Sequence, residues 1–220
     1  MIKAEIKSRL EEYQTQIGIF VLVVHISGAI GMMSPLRMYF LALTPLNLVF
    51  SFLLVTYFHP EWTSVFWRNL LIIVSLGFII ELIGVNTGWP FGVYQYEWAF
   101  GPQVWNTPVV IGLNWFIMTY SGVYILRKIF SNDFITSLLS GLCITLLDVI
   151  LEPVAINSSY WTWASDHVPF NNYVTWFICI SLFSFLILRT EKKVTNPLIK
   201  WVFVAQIVFF LGLYVFYQYT

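Results

Sequence analysis

Apolar residues run along this chain in blocks rather than stripes. Seven nearly continuous apolar windows fall at about 17–33, 39–58, 69–87, 107–126, 134–156, 172–188 and 199–219. Each is close to the ~20 residues that an α-helix needs to cross a hydrocarbon layer. The breaks between them carry turn chemistry: "MSPLR", "HPEW", "TGWPFG", "SND", "NSSY", "DHVPFNN" and "TNP". The pattern predicts an all-α polytopic membrane protein, a bundle of about seven transmembrane helices. It forms a single transmembrane domain over 1–220, with a short lead at 1–16. No internal repeat, low-complexity tract or second domain interrupts it.

Composition sharpens the class. Of 220 residues, 59% are hydrophobic and only 10% charged, and the mean hydropathy is +0.78. Such a chain is not a soluble globular domain. Formal net charge is zero, which argues against nucleic acid as a partner. The lead "KAEIKSRLEEYQ" is followed by an apolar window without a small-residue cleavage site, so that window reads as a retained helix. Cys143 and Cys179 fall inside apolar windows and read as small hydrophobes, implying neither redox chemistry nor a metal.

Basic residues orient the bundle. With the N-terminus in the cytoplasm, the inner segments hold Lys3, Lys7, Arg9, Arg68, Arg127, Lys128, Arg189, Lys192, Lys193 and Lys200, and the outer ones hold only Arg37. This asymmetry predicts a cytoplasmic N-terminus and an external C-terminus in a multi-pass protein of the plasma (inner) membrane. The two long outer loops, 88–106 and 157–171, contain no Lys or Arg. A seven-helix retinal protein is excluded, because the seventh window has no lysine in its middle; Lys200 stands at its inner end.

Polar groups inside a span are costly unless they face the bundle interior. At roughly 1.5 Å per residue from the outer end of each window, His25, Asn47, Glu81, Asn114 and Asp148 lie ~9–12 Å deep. Glu152 stands one turn further out, and Gln206 is the exception, lying deeper. Five helices thus put polar groups in one layer of the outer half. Gly141, Thr145, Asp148 and Glu152 share one helix face, and so do Gly77, Glu81, Gly84 and Gly88. Desolvation and mutual repulsion disfavour the charged form of carboxyls so placed, so at least one of the three acids is expected to carry a proton at neutral pH.

Plainer readings compete with this one. His25 reads first as a structural hydrogen-bonding residue, and Asn47 and Asn114 as helix–helix hydrogen-bonding groups that also border a ligand. Three carboxylates and a histidine can bind a hard cation, but their spacing matches no metal motif. Trp89, Trp98, Trp105, Trp161 and Trp163 suit an interfacial aromatic belt, although "WPFGVYQYEW" and "YWTW" are dense enough to line a pocket for a long apolar molecule.

Three stretches carry a family resemblance. "ELIGVNTGWPFGVYQY" (81–96) matches Glu, two residues, Gly, then Thr-Gly-x-Pro-Phe-Gly-x-Tyr-x-Tyr. "LLDVILEPVA" (146–155) matches Asp, three residues, then Asp-Pro, with Glu152 standing for the second aspartate. "WTWASDHVPFNNYVTW" (161–176) matches Trp-x-Trp, then Pro-x-x-Asn-aromatic-x-Gly-Trp, with Thr175 in place of the glycine. Over these stretches the chain resembles the CruF-type carotenoid 1,2-hydratases, the bisanhydrobacterioruberin hydratase-like membrane proteins of carotenoid biosynthesis.

The resemblance implies a substrate, a carotenoid with an acyclic ψ end lying in the bilayer, and a reaction that adds water across its terminal C1,C2 double bond. It implies no cofactor. Glu81, Asp148 and Glu152 would be the catalytic carboxyls, with Asp148 or Glu81 as the acid. Tyr94, Tyr96, Trp161 and Trp163 would be walls stabilising a cation, and His25, Asn47, Asn114 and Asn172 would border the substrate. Two rivals share the polar layer: a carotenoid cyclase, which quenches the same cation with an internal double bond, and a proton-coupled carrier or lipid-binding membrane protein.

Overall fold

The computed structural model describes residues 12–191 and 194–219. Residues 1–11 of the lead, with Lys3, Lys7 and Arg9, lie outside the described residues, as do Lys192 and Lys193. The chain forms an all-α polytopic membrane bundle. The described residues hold eight α-helices: α1 (Gln14–Met32), α2 (Arg37–Ala42), α3 (Thr44–Tyr57), α4 (Ser64–Thr87), α5 (Ile111–Arg127), α6 (Asp133–Asn157), α7 (Phe170–Thr190) and α8 (Ile199–Gln218). Five of them (α1, α4, α6, α7 and α8) are long and apolar enough to cross a membrane by length and composition, and α3 is a shorter apolar helix.

The second apolar window is not one helix. It divides into α2 and α3 around Leu43, and Pro45 sits in the first turn of α3, where its missing N–H costs no helical hydrogen bond. Hydropathy alone does not see this break, because both pieces are equally apolar. Other ends follow local chemistry. The Thr63 hydroxyl accepts from Phe66 N to cap α4, and the Asn132 side chain accepts from Ile135 N to cap α6. Gly88 ends α4 in the left-handed region, with φ 75°. Pro153 lies inside α6, which continues past it to Asn157.

The fourth window becomes the centre of the bundle rather than a lipid-facing span. In α5 every residue from Trp115 to Tyr124 is buried, and α5 packs against α3, α4, α6, α7 and α8. The α6–α7 seam is the most extensive, and α1 lies along α8. Gly141 permits the close approach of α6 to α7, since a Cβ there would fall 2.7 Å from the Phe177 carbonyl oxygen. At one end of the bundle a polar cluster ties the helix ends together. The His59 Nδ1 and Tyr120 hydroxyl lie 2.7 Å apart, and Asn69 donates to Thr190 Oγ1 (2.8 Å) and Glu191 Oε1 (3.0 Å). Burial pushes the Glu191 carboxyl up from its ordinary range.

At the other end the two long loops meet. Strand β1 (Tyr94–Tyr96) pairs antiparallel with β4 (Trp161–Trp163), placing Tyr94 opposite Trp163 and Tyr96 opposite Trp161. A smaller hairpin joins β2 (Gln103–Val104) to β3 (Thr107–Pro108). Alternate residues of a strand point to opposite faces, and directly paired residues point to the same one. The two tyrosines and two tryptophans therefore share one face of the ribbon. Gln95 and Thr162 take the other, where both donate to Glu97 Oε1.

Candidate active site

Glu81 lies on α4 between two glycines one turn away on either side. A Cβ at Gly77 would fall 2.6 Å from the Trp115 side chain, and one at Gly84 would fall 2.5 Å from the Phe91 ring and 3.1 Å from the Tyr94 hydroxyl. The missing side chains thus let Trp115 and the aromatic loop close on the acid. The Glu81 carboxyl accepts three hydrogen bonds: from the Tyr94 hydroxyl at 2.5 Å, the Tyr96 hydroxyl at 2.9 Å, both on Oε2, and Trp115 Nε1 at 2.9 Å on Oε1. Burial, and next the Glu81 carboxylate, push both tyrosine hydroxyls well above their ordinary range. They remain O–H donors at any working pH.

The second acid has a similar collar. Glu152 Oε2 accepts from Trp161 Nε1 at 2.9 Å and Trp163 Nε1 at 3.0 Å, while its Oε1 accepts from Asn172 Nδ2 at 3.1 Å. Asn172 reaches past it to Asp148 Oδ2 at 2.9 Å. One amide therefore bridges two carboxyls that stand a helical turn apart on α6. All three acids are buried, at 2–3% exposure. Hydrogen bonds to ionised groups are among the strongest that side chains make, and this collar is far richer than a single structural contact requires.

Beneath the ribbon lies a largely apolar cavity of about 460 Å³. Its walls include Glu81, Glu152, Tyr94, Tyr96, Trp161, Trp163, Asn172, His25, Asn47 and Asn114. Ten of the eleven residues singled out from sequence thus border one space. Asp148 is the eleventh; it stands behind Asn172 and is not part of the lining. Phe20 and Val23 of α1 and Leu43 also line the cavity while lying exposed on the bundle's flank. The cavity therefore reaches the lipid-facing surface.

His25 is set apart from the acids. Its Nδ1–H donates to the Val21 carbonyl at 2.9 Å, and its Nε2 lies 3.3 Å from Asn47 Nδ2, which donates to it across α1 and α3. Asn114 borders the cavity and makes no side-chain hydrogen bond among the described residues. No group of three His, Cys, Asp or Glu among the described residues is arranged to hold a metal ion. Of the tryptophans assigned to a belt, Trp89, Trp98 and Trp105 are exposed, whereas Trp161 and Trp163 turn inward onto Glu152.

Sequence reasoning missed Trp115, which is fully buried, donates to Glu81 and stacks on Trp176 with ring centroids 4.2 Å apart. A buried indole N–H needs an acceptor, and in an apolar run the acids are the obvious ones. It also missed Ser51 and set Gln206 apart, although both line the cavity. Thr175, at the position where the resembling family has glycine, donates to the Asn171 carbonyl at 2.7 Å and lies 3.4 Å from the Pro90 carbonyl. Its hydroxyl therefore faces the aromatic loop that closes on Glu81.

Comparison with known proteins places the chain in a family. A family model described as "Carotenoid biosynthesis protein" matches residues 43–219. The bisanhydrobacterioruberin hydratase of Haloarcula japonica is 29% identical over 118 residues, covering 48% of this chain and 40% of that protein. The alignment thus spans well under half the length of that relative. No solved structure matches the chain. With four-fifths of its length inside the family match, the chain belongs to the carotenoid biosynthesis protein family.

Proposed function

We propose that this protein is a carotenoid hydratase of the plasma membrane, adding water across the terminal C1,C2 double bond of an acyclic ψ end group without a cofactor. The observation that carries the reading is the pair of carboxyls, Glu81 and Glu152, each collared by three donors on the wall of a largely apolar cavity. Family membership and the hydratase relative support a carotenoid-modifying role. At about 460 Å³ the cavity holds roughly fifteen water-sized groups. That admits one end of a carotenoid and leaves the rest in the bilayer.

In this mechanism the Asp148–Glu152 pair, sharing Asn172, holds one proton, and Glu152 delivers it because Glu152 faces the cavity. The π electrons of the substrate form the new C2–H bond, leaving a tertiary cation at C1. The faces of Tyr94, Tyr96, Trp161 and Trp163 and the Glu81 carboxylate stabilise that cation. The oxygen of a water molecule forms the C1–O bond, and Glu81 takes the proton that water gives up. Glu81 then releases that proton to solvent and the Asp148–Glu152 pair takes one up from solvent, which restores both sites with no net proton consumed. A cyclase would share the first step and yield a product of unchanged mass.

The test is expression in a host that accumulates an acyclic carotenoid, with pigments separated and weighed by mass spectrometry. The native chain should add the mass of water. Glu81→Gln and Glu152→Gln should each lower conversion by about 10²–10⁴-fold, the usual worth of a general acid or base, while the protein still accumulates in membranes. Asp148→Asn should also impair turnover. Unchanged hydration in both glutamine variants would sink the assignment.

A further inference from the structure

The cavity has a second set of polar groups on its lining, carried by α3 and α8 rather than by α4 and α6. Asn47 and Ser51 stand one turn apart on α3, and Gln206 faces the same space from α8. The Asn47 Oδ1, Ser51 Oγ and Gln206 Oε1 atoms are all buried with no hydrogen-bond partner among the described residues. Ser51 and Gln206 are themselves 2% and 6% exposed. Asn47 places one of its two N–H donors on His25, whose own N–H is held by the Val21 carbonyl. That contact leaves the amide oxygen of this cavity-lining residue unused.

The chemistry of the three atoms selects what binds there. Two are carbonyl acceptors and the third is a hydroxyl, so the wall asks for O–H donors. A helical serine can turn its hydroxyl back to its own helix, but the Asn47 and Gln206 carbonyl oxygens have no such recourse. A hydrocarbon end group offers no donor, whereas water offers two. A buried water needs two to four polar partners, and Asn47, Ser51 and Gln206 each bring one unpartnered oxygen to the lining of this cavity.

We propose that Asn47, Ser51 and Gln206 form a water-holding subsite that supplies the nucleophile captured at C1. This rests on the hydratase reading and deepens it. The carboxyls on α4 and α6 move protons, while the neutral wall built by α3 and α8 keeps water beside the end group. Asn47, Ser51 and Gln206 are thus positioning residues. With water displaced, the C1 cation loses a proton from a neighbouring carbon or is closed on by an internal double bond. Both routes return a hydrocarbon of the substrate's own mass.

The readout is the ratio of hydrated to unhydrated product, which a merely structural role would not move. Ser51→Ala, Gln206→Met and the double variant are supplied with an acyclic carotenoid in membranes made up in H₂¹⁸O. The expected result is a fall of about tenfold or more in the hydrated fraction, with isomerised or cyclised pigment appearing in its place. Ser51→Thr, which keeps the hydroxyl, should restore the native ratio. Ser51→Ala removes a single atom, and its ratio decides the case should Gln206→Met not accumulate. A native chain that hydrates, beside variants that keep its ratio within about twofold or lose all conversion in parallel, overturns the subsite and leaves the hydratase reading standing. A native chain that incorporates no ¹⁸O overturns both.

Discussion

Tyr94→Phe is the substitution that isolates the donor collar from the aromatic wall. Phenylalanine keeps the ring against Trp163, 5.0 Å away between centroids, and against Phe91 at 5.9 Å. It removes only the hydroxyl that donates to Glu81 Oε2 at 2.5 Å. A hydrogen bond to an ionised group is worth about 1.5–3 kcal/mol, and each ~1.4 kcal/mol is a factor of ten in rate. If the Glu81 charge supports the cation and then accepts the water proton, kcat/KM should fall roughly 10- to 150-fold. Tyr96→Phe should cost less, because its longer bond of 2.9 Å falls on the same oxygen. The assay is the initial rate of hydrated product from detergent-solubilised protein, with thermal unfolding in parallel to show that the fold survives. Tyr94→Phe retaining more than about half the native rate would refute the reasoning, since rings alone would then suffice.

Two further outcomes test the frame around the site. A reporter fused after Asn132 should read cytoplasmic and one placed within 157–166 external; the reverse pattern would invert the bundle and move the ribbon to the inner face. Gly141→Ala should lower the melting temperature by the equivalent of about 1–3 kcal/mol, because its Cβ meets the Phe177 backbone carbonyl at 2.7 Å, which cannot rotate away. The bonds from Asn172 on α7 to Asp148 and Glu152 on α6 cross the same seam, so activity should fall with stability, and an unaltered melting curve would contradict the packing account.

The bundle was legible because apolar windows and turn residues mark where its helices lie, and the windows map onto the observed helices, the second onto two of them. What hydropathy could not show was the break at Leu43, where two equally apolar pieces meet end to end, or that α5 lies inside the bundle and not against lipid. Depth along each window brought Glu81, His25, Asn47 and Asn114 to one cavity. It misjudged Gln206, since a cavity has extent along the membrane normal and a single layer does not. Helical phase put Asp148 and Glu152 on one face but could not say which of them reaches the space beyond Asn172. The alternation Tyr-Gln-Tyr and Trp-Thr-Trp is a strand signal in each loop. Pairing those strands across the 64 residues that separate Tyr96 from Trp161 is a tertiary fact that only the fold supplies.

The source of the added atoms tests the central claim most directly. Purified protein, an acyclic carotenoid and anaerobic buffer made with H₂¹⁸O or D₂O isolate the chemistry from the cell. Carboxyl-mediated hydration predicts ¹⁸O in the tertiary alcohol at C1, deuterium at C2, and conversion that proceeds without O₂. Oxygen drawn from ¹⁸O₂, or hydration without solvent deuterium at C2, would contradict it.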